Sequence, residues 1–569
     1  MIKTLAFHEE RCYNVAMTTD IVKFDFSTKH NKATMQSTNR VFGLVRESFS
    51  VEDKAAKARR RFTGKNIPTR KYVITPTGRF DVGLFGDIVS LMKRRGIPFQ
   101  LEGTQAFRDR INTKFDWYLG DSYEVTELNL KLRDYQMEGV RNALKYGSGT
   151  FVFPTSSGKT LLIATTIANI LRNNPKARIL VVTLTHLVGQ FVQDFISYGM
   201  DPSIISAWTG ESGFHENKVV VAGNVIAASH CIDCEAEIPK LRLAIKRAEK
   251  AMESGGTDWK TRKKLEEIYD GAVSDLSRCE NKLDVNKKVL AYFKKVDVLM
   301  VDEVHQMKRG NNITDITDFV TTKHTFGYTG TLPEGKIDEW TVIGKMGPVR
   351  QVVERSVLVE NRSIADVCVQ FLKIRYKDSP EYLQPGEIRG FQDQLSDFQR
   401  EADFLYRSEY RNSIITRIAT SFNKNILVIV DRIEHGETLM EMIKKSVGDR
   451  KTVVFISGEM PEEERDRIKA MMEVSDNVVC IAIAKVFSTG VNVKNIYGAI
   501  FAFVCKAKVS LVQTVGRCVR MNGDKTIAFI FDLHDCLRYS EKHHALRKKI
   551  YNAEGFTMRE KEIEEKGGG

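Results

Sequence analysis

The chain has 569 residues, of which 42% are hydrophobic and 28% charged, enough for about three domains that each bury a core. No stretch of about 18 consecutive apolar residues occurs, so a membrane-spanning helix is not expected, and residues 1–10 lack the basic-then-apolar order of a secretory signal, so a cytoplasmic location is expected. Lys and Arg outnumber Asp and Glu by 86 to 73, a formal net charge of +13 that favours a polyanionic partner, and nine irregularly spaced cysteines argue against a disulfide frame.

In chain order, residues 1–128 read as an accessory α+β domain. Over 51–100 the basic residues Lys54, Lys57, Arg59, Arg60, Arg61, Lys65, Arg70, Lys71, Arg79 and Lys93-Arg94-Arg95 face only Glu52, Asp53, Asp81 and Asp87. Phe62, Tyr72 and Phe80 interleave these charges, a pattern suited to phosphate contacts beside packed bases or sugars. Arg59, Arg60 and Arg61 are therefore candidate nucleic-acid contacts. Residues 71–80 read as strand–turn–strand around Thr75-Pro76-Thr77-Gly78, and 87–95 as a helix ending before Gly96.

From 129 to 352, apolar strand candidates at 150–153, 179–183, 218–222 and 296–301 alternate with helical patterns, which predicts a parallel sheet with right-handed crossovers. The run Phe-Pro-Thr-Ser-Ser-Gly-Lys-Thr at 153–160 joins the first strand to an apolar helix. Thr155, Ser156, Ser157 and Gly158 offer backbone N–H groups to phosphates, Lys159 an ammonium, and Thr160 a hydroxyl for Mg²⁺. Phe153 stands where a P-loop has its first glycine.

At the end of the 296–301 strand, Asp302 is positioned to hold Mg²⁺ and Glu303 to orient and deprotonate the attacking water. Between them and the loop, about 236–295 breaks the alternation. Leu265, Ile268, Ala272, Leu276, Cys279 and Leu283 recur at threes and fours, which predicts an inserted antiparallel helical hairpin. Its face is expected to pack on the domain or to contact substrate or a protein partner. Cys231 and Cys234 beside His230 lack a second Cys pair, so a structural zinc is not expected there.

Residues 353–540 carry five further strand candidates, at 426–430, 452–456, 478–484, 499–504 and 526–531, and read as a second parallel-sheet domain. Late in it, Gln513, Arg517 and Arg520 recur at helical spacing, with the two arginines on one face. An arginine reaching a transferring phosphoryl group accelerates the reaction by about 10³–10⁵-fold. Residues 541–569 read as a charged helical tail.

Together these pieces resemble a superfamily 2 helicase of the DExH type, with motifs in matching order over about residues 130–535. Leu132-Arg133-Asp134-Tyr135-Gln136 resembles the adenine-reading motif, which implies Arg133 and Gln136 at the base. Thr183-Leu184-Thr185-His186 resembles a strand-backbone contact, which implies Thr185 on nucleic acid, and Asp302-Glu303-Val304-His305 fits the Asp-Glu-x-His box. Thr329-Gly330-Thr331 resembles the segment coupling hydrolysis to movement. The stretch 487–492 resembles the fifth motif, implying Thr489 on nucleic acid and Gly490 at ATP. The Pro-Thr-Ser-x-Gly-Lys loop, Val-Phe-Ser-Thr-Gly, Val493-Lys494-Asn495 and Gln-Thr-x-Gly-Arg-x-x-Arg resemble the phage UvsW-type recombination and repair helicases.

The resemblance implies two RecA-like domains, ATP and Mg²⁺ between them, and single-stranded or branched DNA as partner, acted on by a monomer in the host cytoplasm if the chain is a phage's. An RNA helicase is the alternative, because contacts to a phosphate backbone do not choose a sugar. A nucleotide-gated binding protein without strand separation is a second, against which Glu303 and the arginines count.

Overall fold

The computed structural model of the chain describes residues 21–29, 31–64, 66–103, 105, 111–154, 156–253, 259–333, 335–382, 396–458, 460–484, 493, 495–504 and 525–565. They form two compact units, one on residues up to Val152 with Thr160–Val352, the other on Phe153–Lys159 and the chain from Val353.

The N-terminal module is α+β. Strands β1 (Val22–Lys29), β2 (Lys32–Gln36), β5 (Arg79–Asp81) and β6 (Phe99–Glu102) form a mixed sheet in the order β5-β2-β1-β6, and β3 (Ser50–Glu52) pairs with β4 (Arg70–Tyr72). Alternation puts Val22, Phe24 and Phe26 of β1 on the buried face. There Phe24 meets Phe80 and Phe85 edge-on at 5.9 and 5.2 Å. Trp340 and Ile343, from the helix Lys336–Met346 some 250 residues later, pack against this same core.

That helix fastens the module to the first large sheet. Gly83 lies against it so closely that a Cβ there would sit 2.1 Å from the Ile343 carbonyl oxygen. Asn31 donates to the Thr317 carbonyl at 2.8 Å. Lys345, with its side chain 3% exposed, pairs with Asp81 at 3.2 Å and with Asp318, and Lys32 reaches the same two carboxylates at 2.9 and 3.3 Å. Although burial opposes it, the Lys345 and Lys32 charges hold the Asp318 carboxyl below the usual carboxylate range.

The first large sheet is all-parallel, in the order β13-β7-β12-β11-β8-β10-β9, built of β7 (Gly149–Val152), β8 (Ile179–Thr183), β9 (Ile205–Trp208), β10 (Val219–Gly223), β11 (Val298–Asp302), β12 (His324–Thr329) and β13 (Val349–Val352). Runs such as Ile-Leu-Val-Val-Thr in β8 and Val-Leu-Met-Val-Asp in β11 are buried at every position, because helices cover both faces. Between β10 and β11, the helices Cys234–Glu253 and Trp259–Asn281 pack on each other as the expected hairpin. The apolar stripe loses its cover along the second helix: Cys279 and Ala272 are buried, whereas Ile268 is 47% exposed. The helical pattern breaks at Lys282. A separate helix, Leu283–Phe293, sends Val289, Tyr292 and Phe293 into the core beneath β11, so this end of the 236–295 segment belongs to the sheet domain.

A second all-parallel sheet, ordered β16-β17-β15-β18-β19-β14-β20, comprises β14 (Asp366–Arg375), β15 (Ile426–Val430), β16 (Thr452–Ile456), β17 (Val478–Ile483), β18 (Gly498–Phe501), β19 (Ile527–Asp535) and β20 (Thr557–Glu564). Two such sheets with flanking helices are the architecture of two RecA-like domains. The expected charged helical tail is corrected here. The helix ends at Ala553, and Thr557–Glu564 is an edge strand paired in parallel with β14 from Cys368 to Arg375. Its alternating Arg, Lys and Glu suit an edge that must stay soluble. Arg547 secures the preceding helix by two hydrogen bonds from Nε (2.9 and 3.0 Å) and one from Nη2 (2.7 Å) to Asp532, whose carboxylate also accepts from Tyr551 at 2.7 Å.

Candidate functional site

In a parallel sheet every strand ends on the same edge, and loops gathered there form the site. β7 ends at Val152, where the phosphate-loop sequence begins; β12 ends at Thr329 and β11 at Asp302, with β12 between the other two.

In the loop, Ser156 and Gly158 adopt left-handed backbone at φ +68° and +82°, which turns successive N–H groups toward one side before the helix Lys159–Asn173 starts. Ser157 N–H donates to the Pro154 carbonyl at 3.2 Å, and Lys159 Nζ lies 3.4 Å from the Phe153 carbonyl oxygen. Thr160 stands in the first turn of that helix, whose N-terminus favours an anion. Position 153 thus serves through its backbone, and a side chain there removes no group that the loop needs. Thr155 lies outside the described residues.

Asp302 is buried at the end of β11, and Thr183, from the neighbouring β8, donates to its Oδ2 at 3.4 Å. A buried carboxylate with the hydroxyl of Thr160 offers hard oxygen donors of the kind Mg²⁺ takes, so these residues fit that ion. Glu303 follows in left-handed conformation, φ +52° and ψ +45°, at the start of the single turn Val304–Gln306. For a residue with a Cβ this backbone is strained, and it takes the chain out of the strand direction into the turn.

His305 then ties the end of β11 to the end of β12. Its Nδ1 lies 2.9 Å from Thr329 Oγ1 and 3.1 Å from Glu303 Oε2. Thr329 has one hydroxyl proton, which it donates to the Thr331 carbonyl at 2.8 Å. The Nδ1 contact therefore has the imidazole as donor, its hydrogen directed at Thr329 and the Glu303 carboxylate. In this way the Glu303 carboxylate, the one expected from the sequence to activate water, is held by the box histidine, and the histidine by the Thr-Gly-Thr segment at the end of β12.

Arg133 and Gln136 cap the helix Asp134–Tyr146. The Gln136 side-chain oxygen accepts from the Arg133 N–H at 3.0 Å, which fixes the orientation of the amide, and Arg133 Nη1 donates to Tyr135 Oη at 3.2 Å. Thr185 leaves β8 in a single turn, with Oγ1 3.4 Å from Asn224 Oδ1 at the head of the helix after β10. A Cβ on Gly223 would lie 2.8 Å from that hydroxyl. Asn224 was not legible as a partner; the glycine before it, needed for the close approach, is the signal that could have found it. The link through His305 was likewise invisible, because Thr329 is 24 residues away.

In the N-terminal module, Arg59, Arg60 and Arg61 are exposed on the helix Lys54–Thr63, which Asp53 caps by accepting from the Ala55 and Ala56 N–H groups at 3.1 Å. The expected aromatic interleaving is corrected. Phe80 belongs to the core, and Tyr72 is held between Arg46, 3.8 Å from its ring, and Glu47, 2.6 Å from its hydroxyl, while Phe62 alone of the three is open, at 91% exposure. Alternation along β5 turned Phe80 inward, a fact that charge spacing cannot reveal. Thr489, Gly490, Gln513, Arg517 and Arg520 lie outside the described residues.

Comparison with known proteins adds to this geometry. The family described as "Type III restriction enzyme, res subunit" matches residues 129–334, and the "Helicase conserved C-terminal domain" matches 410–522. The chain is 23% identical over 515 residues to the ATP-dependent DNA helicase uvsW of Enterobacteria phage T4, covering 89% of each chain. It is 22% identical over 427 residues to putative helicase 22 of a Sulfolobus islandicus filamentous virus, covering 72% of this chain and 65% of that one. Among solved structures, that of T4 UvsW aligns with a TM-score of 0.41 at 21% identity, over 96% of this chain and 99% of that one. No described helix is long and apolar enough to cross a membrane.

Proposed function

Because the chain belongs to superfamily 2 of the ATP-dependent helicases, we propose that it works on DNA, unwinding or remodelling forks and junctions. ATP is the substrate of the motor. Mg²⁺, held by Thr160 and Asp302, supplies charge neutralisation at the β- and γ-phosphates when bound. Lys159 places an ammonium on the same phosphates. Glu303 accepts the proton of the attacking water, and Arg517 and Arg520 meet the charge that develops on the phosphoryl oxygens.

The observation that carries this reading is the Glu303–His305–Thr329 chain, with Nδ1 at 3.1 and 2.9 Å from its two partners. It joins the group that activates water to the end of a neighbouring strand, so a change at the γ-phosphate has a mechanical outlet. A protein using nucleotide only as a ligand has no need of this link.

ATPase stimulation by single-stranded, forked and four-way DNA, and by RNA of the same sequence, tests the proposal. Strongest stimulation by forked or four-way DNA, with strand separation of the same substrates, is expected. Equal or greater stimulation by RNA would move the assignment to an RNA helicase, and hydrolysis without displacement of any strand would remove the helicase step.

A further inference from the structure

At the end of β19, a second constellation of donors lies outside the nucleotide motifs. His534 and Cys536 sit two residues apart where the strand runs out, and the helix Ser540–Ala553 brings Glu541 beside them. One donor atom from each of the three falls within 4.8 Å of the others, and His534 Nε2 is 3.1 Å from Glu541 Oε2. His534 is 6% exposed, and neither of its buried ring nitrogens, Nδ1 or the Nε2 that faces Glu541, makes a hydrogen bond of good geometry among the described residues. Burying such a nitrogen costs about 1–3 kcal/mol, so its retention calls for a reason.

The supports of these donors are rigid. β19 lies between β18 and β14, inside the sheet. His544, one turn beyond Glu541, stacks flat on His534 with ring centroids 3.5 Å apart and planes within 3°. Arg547, one turn further, is locked to Asp532. The helix can neither slide nor rotate without breaking both contacts. Donors around a tetrahedral zinc lie about 2.0–2.3 Å from the metal, so roughly 3.3–3.8 Å from one another. Closing the present spacing takes about an ångström, and Glu541, whose side chain is 52% exposed, is free to supply it.

We propose that His534, Cys536 and Glu541 bind a zinc ion, with water in the fourth position. One nitrogen, one sulfur and one oxygen select a borderline metal, since Mg²⁺ and Ca²⁺ take oxygen donors almost alone. The thiol proton leaves as the Zn–S bond forms, so no oxidant or reductant is needed. The ion ties the end of β19 to the helix after it, on the same sheet edge where β15 and β18 end. The Cys231–Cys234 pair does not compete: Cys231 Sγ contacts the Ala227 carbonyl at 3.6 Å, and Cys234 is fully buried.

Cobalt serves as the probe. The full chain, stripped with a chelator and desalted without nucleotide, is titrated with Co²⁺. One equivalent should give thiolate-to-cobalt charge-transfer absorption together with the visible bands of four-coordinate cobalt; Zn²⁺ should abolish both, and excess Mg²⁺ should not. Cys536→Ser should remove the charge-transfer band, while Cys231→Ser keeps it. Glu541→Gln, a change on an exposed side chain that leaves folding intact, should weaken binding by about tenfold or more. One equivalent of Zn²⁺ should raise the melting temperature of the wild type and leave that of Cys536→Ser unchanged. A folded protein without the charge-transfer band, or a band undiminished in Cys536→Ser, overturns the proposal. None of these readouts depends on ATP hydrolysis, so the site and the helicase reading can fail separately.

Discussion

At the scale of single residues, the site has a charged centre and a positioning shell. Lys159→Ala should abolish hydrolysis, since the phosphates lose their ammonium partner, whereas Glu303→Gln should keep ATP binding and stop turnover, because an amide cannot take the proton of water. Single-turnover assays with nucleotide-binding measurements check both, and near-normal turnover in either variant would displace the site. His305→Ala should lower turnover by up to about a hundredfold, the scale of moving a reacting group by an ångström, with ATP affinity little changed. A second residue reports on stability. Burial drives the His324 pKa down to about 4, with the ring stacked on Phe115 at 4.1 Å and Nδ1 3.1 Å from the Gly147 carbonyl oxygen. The unfolded chain therefore binds the extra proton first. Stability should be complete above about pH 6.5 and fall as the pH drops toward 4, by on the order of 3 kcal/mol. Urea unfolding across that range should show a shallower loss for His324→Gln; an unchanged slope would exclude the residue as its source.

At the scale of elements, the helix Lys336–Met346 decides how the N-terminal module attaches. Replacing Lys345 by Met leaves Asp81 and Asp318 facing each other with one cation fewer. The loss should be roughly 1–3 kcal/mol, toward the low end because the Asp318 side chain is 43% exposed. Gly83→Ala should be worse for the module than for the sheet domain, since its Cβ meets backbone at 2.1 Å and has nowhere to go. Limited proteolysis after each substitution checks this: earlier cleavage within residues 21–103 is expected, and wild-type resistance would show that the helix is not the fastening. Other elements were legible to unequal degrees. Strands such as 179–183 and 426–430 stood out because burial on both faces leaves an unbroken apolar run. β20 did not, because an edge strand with Arg, Lys and Glu in alternation has the composition of a solvated helix. The hairpin was legible from its threes and fours, yet the break at Lys282 was not, since Leu283 continues the stripe across it.

At the scale of the whole molecule, two predictions concern cooperation between parts. Arg517→Ala and Arg520→Ala should each slow turnover by about 10³-fold or more without preventing ATP binding; wild-type turnover in both would mean that the second domain does not serve the reaction. Reversing Arg59, Arg60 and Arg61 to Glu should weaken binding to forked DNA far more than it slows ATP hydrolysis without DNA. Each lost phosphate contact should flatten the log–log salt dependence by about 0.9 on duplex DNA. Unchanged affinity and slope would leave the arginines as a solvated face. Exposure of all three and of Phe62 supports the first outcome; the inward Phe80 and the engaged Tyr72 limit the stacking surface to that one ring.

The sequence by itself determined the two parallel sheets, the order of the motifs and the residues proposed to carry the chemistry, because those depend on local runs: apolar strands, a loop ending Ser-Gly-Lys-Thr, and adjacent carboxylates at a strand end. What joins them was decided only by the tertiary structure. His305 meets Thr329 because β11 and β12 are neighbours in a parallel sheet. Thr185 meets Asn224 because β8 and β10 are. Likewise, His534 and Cys536 meet Glu541 because a bidentate Arg547–Asp532 pair holds the helix against β19. Contacts of this kind follow from strand order and register, and strand order is a property of the packed sheet that no local stretch of the chain encodes.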